Sequence, residues 1–492
     1  MIMEARCKLN NDPQSTHFIS SFPSNLLLNY VFPLLFDFLG FLTLSVVVFM
    51  EASFFLYRWR PMCHLLPLSC LIAYLAFERF LSRAPTYLVD FSCLRPPGFC
   101  RVPFSTFIEH VAMMKSFDEA SVAFMAKIIT TSGQGEETYL PPSLHFLPPR
   151  THQLECLKEV HMVLFPVMDD LLCKTKISPR DIDILIVNCS GFCPSPSLSS
   201  IVVNRYAMRA DIKTFNLSGM GCSAGAIGIN LASNLLKIHR NSYAVVLSTE
   251  IVSTGWYDGN ERSKLLLNCL FRMGSAAILL TNRKEAEETS KYKLFRTVRT
   301  QRAFDDKAYL SAIREEDSKG ITGVTLTRDL LKVAGETLRS NATVLGASIL
   351  PLSEKVRHSL SVLRQRFINP CKGVYVPDFR SVIRHYCIPT SGIAVIREIG
   401  KGLKLSEEEM EAAMMTFHRF GNLSSSAMWY ELAYMEAKES VKIGDKVWQL
   451  GMGTGPKSNS VVWECLRDID ERKRGPWYDC IDRYPITVGG IL

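Results

Sequence analysis

The chain has 492 residues, 47% of them hydrophobic, 10% aromatic and 21% charged, which is too long for one ordinary core and too apolar for a disordered polymer. Its 56 Lys and Arg against 48 Asp and Glu leave a formal charge of +8, without the dense basic stripe of a dedicated nucleic-acid binder. The 24 Pro and 28 Gly are scattered without a period, which excludes collagen, repeat arrays and low-complexity tails.

Residues 26–50 form a run of 25 with a single charge, Asp37, long enough to cross about 30 Å of hydrocarbon. A transmembrane helix is expected there. A secretory signal would have a shorter apolar region of about 7–15 residues and a small-residue cleavage site. A second apolar segment, residues 62–77, lies between Arg58 and Arg60 on one side and Glu78, Arg79 and Arg83 on the other. It reads as a second membrane segment, with a buried soluble helix as the alternative. Residues 1–85 are therefore expected to be a membrane anchor. If both segments span, everything after them shares the side of the N-terminus. The sequons at Asn188, Asn216, Asn341 and Asn422 favour a cytosolic face, because two of them fall inside the motifs described below.

Beyond Arg83, short β-branched runs alternate with helical patterns, the signature of α/β layering. Strands are predicted at 182–187, 243–248, 276–280, 292–298 and 447–450. Helices are predicted at 154–174, 224–238, 330–339, 393–403 and 424–437. The Glu-rich, basic stretch 282–293 is the least apolar part of the middle of the chain and is taken as the join between two halves, 86–285 and 286–492. In 352–378, Val356, Leu360, Leu363 and Phe367 recur at helical spacing among Lys355, Arg357, Arg364 and Arg366. Such a helix packs on a core through a narrow stripe or lies on a bilayer surface. The 15 cysteines, an odd number without zinc-site spacing, indicate free thiols in a reducing compartment.

Four segments carry possible chemistry. Asn216 to Gly225 reads NLSGMGCSAG, followed by Ile227, Leu231, Leu235 and Ile238 at helical spacing. Glycines permit a sharp turn there, and Cys222 falls at a helix N-terminus, where amide donors favour a thiolate and so a nucleophile. A small cysteine buried under a helix would give similar residues. Phe417 to Ser426 reads FHRFGNLSSS and places His418 and Asn422 four apart around a glycine, where both could donate to an oxyanion; Asn422 could equally cap the next helix. His385 precedes a loop, His385 to Gly392, that leads into a helix. Gly451-Met-Gly-Thr-Gly455 departs from dinucleotide-loop spacing, and only 37 residues follow it. Its glycines are read as bringing backbone close to a ligand. No phosphate loop or zinc helix is present, and no bound cofactor or metal is expected.

Taken in order, these motifs resemble the plant-type very-long-chain 3-ketoacyl-CoA synthases. The resemblance runs from the paired hydrophobic segments through TSGQGEETY (131–139), DIDIL (181–185), the Cys222 segment, GWYDGNER (255–262), NCLFRMG (268–274), HRFGN (418–422) and WYELA (429–433) to CIDRYP (480–485). It implies a thiolase-like, duplicated five-layer α/β fold behind N-terminal transmembrane helices, in the endoplasmic reticulum membrane with the catalytic domain facing the cytosol. It implies acylation of a cysteine by a long-chain acyl-CoA and decarboxylative condensation with malonyl-CoA, with elongase reductases and a dehydratase as partners and a homodimer as the assembly. Carried over, Cys222 is the nucleophile, Asn422 an oxyanion donor, and His385 and His418 the matching histidines. Two positions depart from the family pattern. Pro389 stands where the family has the histidine that partners the thiolate, and Gln301 replaces another histidine. Further on, Pro456 and Ser458 replace a phenylalanine and a cysteine. Proline has no basic nitrogen and no amide hydrogen, so the resemblance leaves open an impaired enzyme, or a paralogue that binds acyl chains or elongase subunits without catalysis. A soluble chalcone-synthase-like enzyme shares the cysteine and asparagine but not the hydrophobic segments.

Overall fold

The computed structural model describes residues 85–367 and 375–486, with scattered positions between 45 and 72. The segments 26–50 and 62–77 therefore lie outside the described residues apart from those positions. Among the described residues, no helix is long and apolar enough to cross a membrane. Residues 1–83 group with Gly346–Leu350 as one unit, and Ala84–Leu345 with Pro351–Leu492 form the other. The account below concerns the second.

Its strands are β1 (Tyr87–Cys93), β2 (Ile182–Asn188), β3 (Lys213–Leu217), β4 (Tyr243–Thr249), β5 (Ser275–Thr281), β6 (Tyr292–Gln301), β7 (Ala312–Glu316), β8 (Thr322–Leu326), β9 (His385–Cys387), β10 (Lys446–Gly453) and β11 (Lys457–Cys465). Nine of them form one sheet in the order β3-β2-β4-β5-β1-β6-β11-β10-β9, and β7 pairs with β8 in a separate ribbon. The sheet repeats a pattern about its middle. β1 runs antiparallel to β5, β5 antiparallel to β4, and β4 parallel to β2. In the same way β6 runs antiparallel to β11, β11 antiparallel to β10, and β10 parallel to β9. The two sets meet only through Tyr87 opposite Lys293 and Leu88 opposite Tyr292.

The strands predicted at 182–187, 243–248, 276–280, 292–298 and 447–450 all appear, each longer by one to four residues. They are legible because β2, β4 and β5 are almost wholly buried, so their sequences are continuous apolar runs. The helix predicted at 330–339 continues to Ile349. Its polar middle looks like a helix end, yet Asn341 is buried, donates to the Ser458 carbonyl at 2.8 Å and accepts from Ser460 Oγ. Helix Leu352–Phe367 does not use its apolar stripe for packing: Val356, Leu360 and Leu363 are 46%, 60% and 52% exposed.

The stretch 282–293 links β5 to β6, and its end is sealed rather than loose. Lys291, 2% exposed, makes 2.9 Å ion pairs with Asp90, Glu436 and Glu471, and these carboxylates hold its ammonium charged. Tyr292 donates to the same Glu436 at 2.8 Å. Behind the second set of strands, helix Ala427–Ala437 is buried along its whole length, with Trp429, Trp463 and Trp477 among the largest enclosed side chains. An all-round buried helix carries no amphipathic stripe, and this one buries Glu431 and Glu436 along with its apolar side chains.

Candidate active site

Cys222 lies in a short 3-10 turn, Gly221–Ser223, directly before helix Ala224–Ile238, as its glycine-rich context predicts. The expected stripe holds at Ile227, which is buried, and is lost at Ile238, which is 74% exposed; Ile229, Ala232 and Leu236 are enclosed as well. Small residues set this face. A Cβ on Gly225 would stand 2.4 Å from the Ser425 carbonyl oxygen, and one on Gly228 2.8 Å from Val246. The nucleophile helix is thereby drawn against the turn Ser424–Ser426, which precedes the buried helix Ala427–Ala437 in the same way that Gly221–Ser223 precedes its own.

The glycines of β10 serve the same contact. A Cβ on Gly453 would fall 2.3 Å from the Met220 carbonyl oxygen, and Gly221, at φ +59°, has no room for a side chain beside the Thr454 amide. Gly453 is thus packed on the backbone of the cysteine turn, while Gly451 lines the pocket beside Cys222. β10 runs into the antiparallel hairpin strand β11 and not into a helix.

Asn422 is clamped by its main chain. Its amide donates to the Leu270 carbonyl at 3.0 Å, and its carbonyl accepts from the Arg272 amide at 2.9 Å. Arg272 is buried, so its guanidinium pKa is pushed down to about 10, and its side chain is tied to Thr138 and to the Asn268 and Phe271 carbonyls. The Asn422 Oδ1 accepts the Ser424 amide at 2.9 Å, which leaves its NH2 as the donor end. Gly421, at φ +72°, provides the turn between helix Glu407–Phe420 and Asn422.

Cys222, Asn422, Ser424, Pro389, Thr390 and Glu431 share one small pocket with Met428 and Gly451. Two of the four expected site residues are thus brought together, and two are not. His385 sits on β9, where its Nε2 lies 3.0 Å from Asp445. Burial lowers its pKa, against the pull of that carboxylate. His418 ends helix Glu407–Phe420 and packs on the backbone of Gly135, where a Cβ would meet its ring at 2.3 Å, and its Nδ1 is 3.3 Å from the Tyr484 hydroxyl. The idea that His418 and Asn422 aim at one point fails because Gly421 turns the chain between them. Neither histidine lines the pocket, and no imidazole does among the described residues. Gln301 is exposed at the end of β6, opposite Lys457 and outside the pocket lining.

Burial pushes the Cys222 thiol up to about 11, opposed by a hydrogen bond from Ser424 and reinforced by the charge of Glu250. The expectation of a depressed pKa is corrected: desolvation of the sulfur outweighs the helix N-terminus. Glu431 is fully buried and its carboxyl is pushed far up by desolvation; its Oε2 accepts the Ile388 amide at 2.8 Å, while Oε1 has no partner.

Residues 78–367 match the FAE1/type III polyketide synthase-like protein family, and residues 380–465 match the C-terminal part of 3-oxoacyl-(acyl-carrier-protein) synthase III. Over 425 residues, 86% of each chain, the sequence is 48% identical to 3-ketoacyl-CoA synthase 6 of Arabidopsis thaliana. The chain belongs to the 3-ketoacyl-CoA synthase family. Other relatives from that plant are 3-ketoacyl-CoA synthase 5, 48% identical over 87% of each chain, and 3-ketoacyl-CoA synthase 7, 44% identical over 85% of this chain and 90% of the relative. The fold has solved counterparts. PKS-I from the brown alga Ectocarpus siliculosus superposes with a TM-score of 0.61 at 15% identity, over 78% of this chain and 99% of its own. 1,3,6,8-Tetrahydroxynaphthalene synthase from Streptomyces coelicolor gives 0.58 at 16% identity, over 77% and 99%. The synthase-family chain therefore has the thiolase-like α/β fold that its motifs implied.

Within this family member, the motifs quoted from the sequence are largely braces for the site. Arg419 reaches the Glu137 carbonyl at 2.6 Å and the Tyr139 hydroxyl at 2.8 Å, which ties 418–422 to 131–139. The Tyr257 amide donates to Asn268 Oδ1 at 3.1 Å, which ties 255–262 to 268–274. Two site residues escaped the sequence reading. Ser424 Oγ lies 3.4 Å from Cys222 Sγ and 3.4 Å from Glu250 Oε2. Ser424 has φ +53°, a costly conformation for a residue with a Cβ. Glu250 directly follows β4, and an acid at the carboxyl end of a buried strand was the available signal, since ligands in α/β sheets bind at such ends.

Proposed function

We propose that this chain condenses a long-chain acyl-CoA with malonyl-CoA in very-long-chain fatty acid elongation, with Cys222 as the acyl carrier. The observation that carries the reading is the convergence of Cys222 and Asn422 in one pocket. The acyl group passes from the CoA sulfur to Cys222 Sγ, and CoA leaves with the thiol proton. Malonyl-CoA loses carbon dioxide, its enolate carbon attacks the acyl thioester, and the carbon–sulfur bond to Cys222 breaks as the new carbon–carbon bond forms. The Asn422 NH2 donates to the oxyanion of these steps.

The membrane setting rests on residues 26–50 and 62–77 and on helix Leu352–Phe367, whose exposed Val356, Leu360 and Leu363 lie among basic residues suited to a lipid surface. A cytosolic face of the endoplasmic reticulum is supported by three sequon asparagines, Asn188, Asn341 and Asn422, which are buried. Glycans added to them during synthesis in the lumen would block that burial. A homodimer is supported by β3, an edge strand with Lys213 and Thr214 exposed. The five-layer duplication, with halves at 86–285 and 286–492, follows the repeated strand pattern, and the elongase reductases and dehydratase are the partners that would consume a 3-ketoacyl product.

Pro389 favours a second reading: a chain that binds acyl groups or elongase subunits without turnover, since the pocket holds no imidazole. Microsomes expressing the chain, given labelled malonyl-CoA and a long-chain acyl-CoA, separate the two. Elongated product that vanishes in Cys222→Ala supports the enzyme. Absence of product, with turnover appearing in Pro389→His, supports the non-catalytic subunit.

A further inference from the structure

The pocket contains a thiol, a hydroxyl and, beyond the hydroxyl, a carboxylate. Ser424 Oγ is 3.4 Å from Cys222 Sγ and equally far from Glu250 Oε2. A hydroxyl has one proton and two acceptor lone pairs, and a carboxylate only accepts. The single Ser424 proton can serve only one of its two neighbours at a time: turned to Cys222 Sγ the hydroxyl donates to the sulfur, and turned to Glu250 Oε2 it is free to accept from the Cys222 thiol, which is the arrangement a relay needs.

We propose that Ser424 and Glu250 act as a proton relay for Cys222 in place of the missing imidazole. This deepens the condensing-enzyme reading and rests on it. In acylation the Cys222 proton moves to Ser424 Oγ while the Ser424 proton moves to Glu250 Oε2. The sulfur electron pair forms the bond to the acyl carbonyl carbon, the bond from that carbon to the CoA sulfur breaks, and the proton held on Glu250 returns through Ser424 to the departing CoA sulfur. Ser424 touches the reacting atom, and Glu250 works through it.

Three independent features support the arrangement. Ser424 is held at φ +53°, which aims its hydroxyl at both partners. Glu250 is fixed by the Gly191 amide on Oε1 at 2.7 Å and by the Ser190 amide on Oε2 at 3.2 Å. Gly191 lies so near that a Cβ there would stand 3.2 Å from Glu250 Oε1. The other titratable groups at the site are Cys189, which donates to Glu250 Oε1 at 3.4 Å, and Glu431 on the pocket wall. Burial raises the Glu250 carboxyl pKa, which makes it a better proton acceptor than an ordinary surface glutamate.

The test uses the full chain in detergent and two acyl donors, a long-chain acyl-CoA and p-nitrophenyl acetate, with acylation of Cys222 followed by intact mass. Ser424→Gly removes the hydroxyl and suits the left-handed backbone, so the variant retains the fold; its acylation is expected to fall by about 100-fold with either donor. Glu250→Gln is expected to slow acylation by a similar factor while speeding iodoacetamide alkylation of Cys222 at pH 8, because a negative charge beside the sulfur is gone. A packing role would move both rates in the same direction. In a Pro389→His background the Glu250→Gln loss is expected to shrink below about 10-fold. Acylation by p-nitrophenyl acetate within about threefold of the parent in Ser424→Gly, or alkylation and acylation slowed together in Glu250→Gln, overturns the relay. A parent chain that reacts with the ester but never with acyl-CoA counts against the proposed function and still leaves the relay decided by the ester.

Discussion

Cys222 and Pro389 line the same pocket, and the proline brings to it no nitrogen able to take or give a proton. That pairing sets the chemical difficulty of the site: a buried thiol with a raised pKa and no neighbouring base of the usual kind. The predictions below start from it.

Restoring the imidazole is expected to help. Pro389→His should raise condensation turnover at least 10-fold, in the range of a positioned general base, and bring the Cys222 pKa down from about 11. Product formation in microsomes and the pH profile of alkylation measure the two effects. Unchanged turnover would show that the position is not the limiting one.

The unmodified protein should show the thiol directly. Raising pH ionises a thiol, and one with a pKa near 11 is almost entirely protonated at pH 8. Iodoacetamide alkylation of Cys222 should therefore climb about tenfold per pH unit from 7 to 10 without a plateau. A plateau by pH 8 would mean that the sulfur is a stabilised anion after all.

Asn422→Ala should cut turnover by about 100- to 1,000-fold through loss of an oxyanion donor. Melting temperature is the control, and Cys222 acylation should slow along with turnover. The carbonyl and amide of residue 422 carry its main-chain clamp, so the fold should survive the substitution.

Gly453→Ala tests the packing of the turn. Its Cβ would be 2.3 Å from the Met220 carbonyl oxygen, so either the β10 hairpin or the cysteine turn must move. Stability is expected to fall by about 1–3 kcal/mol and acylation to fall with it. Denaturant melts of the full chain in detergent read the first effect, and acylation rates read the second.

Lys291→Met should destabilise the join between β1 and β6 by about 3–5 kcal/mol, because Asp90, Glu436 and Glu471 would be left as uncompensated buried charges. Burial already raises the Glu436 carboxyl pKa, so lowering pH to protonate it should narrow the gap between variant and parent, as measured by thermal unfolding.

By itself the sequence determined the strands buried on both faces, the cysteine at a helix start and the family, because each is written in contiguous runs of residues whose spacing or composition has one local meaning. Tertiary structure alone decided that His385 turns to Asp445 and His418 to Gly135 and Tyr484, while Ser424 reaches the sulfur and Glu250 reaches Ser424. It also decided the ionisation of Cys222. A helix start favours the anion locally, but the groups packed around the sulfur come from far away in the chain, such as Asn422 and Pro389 in the same pocket, and no local pattern records how closely they pack.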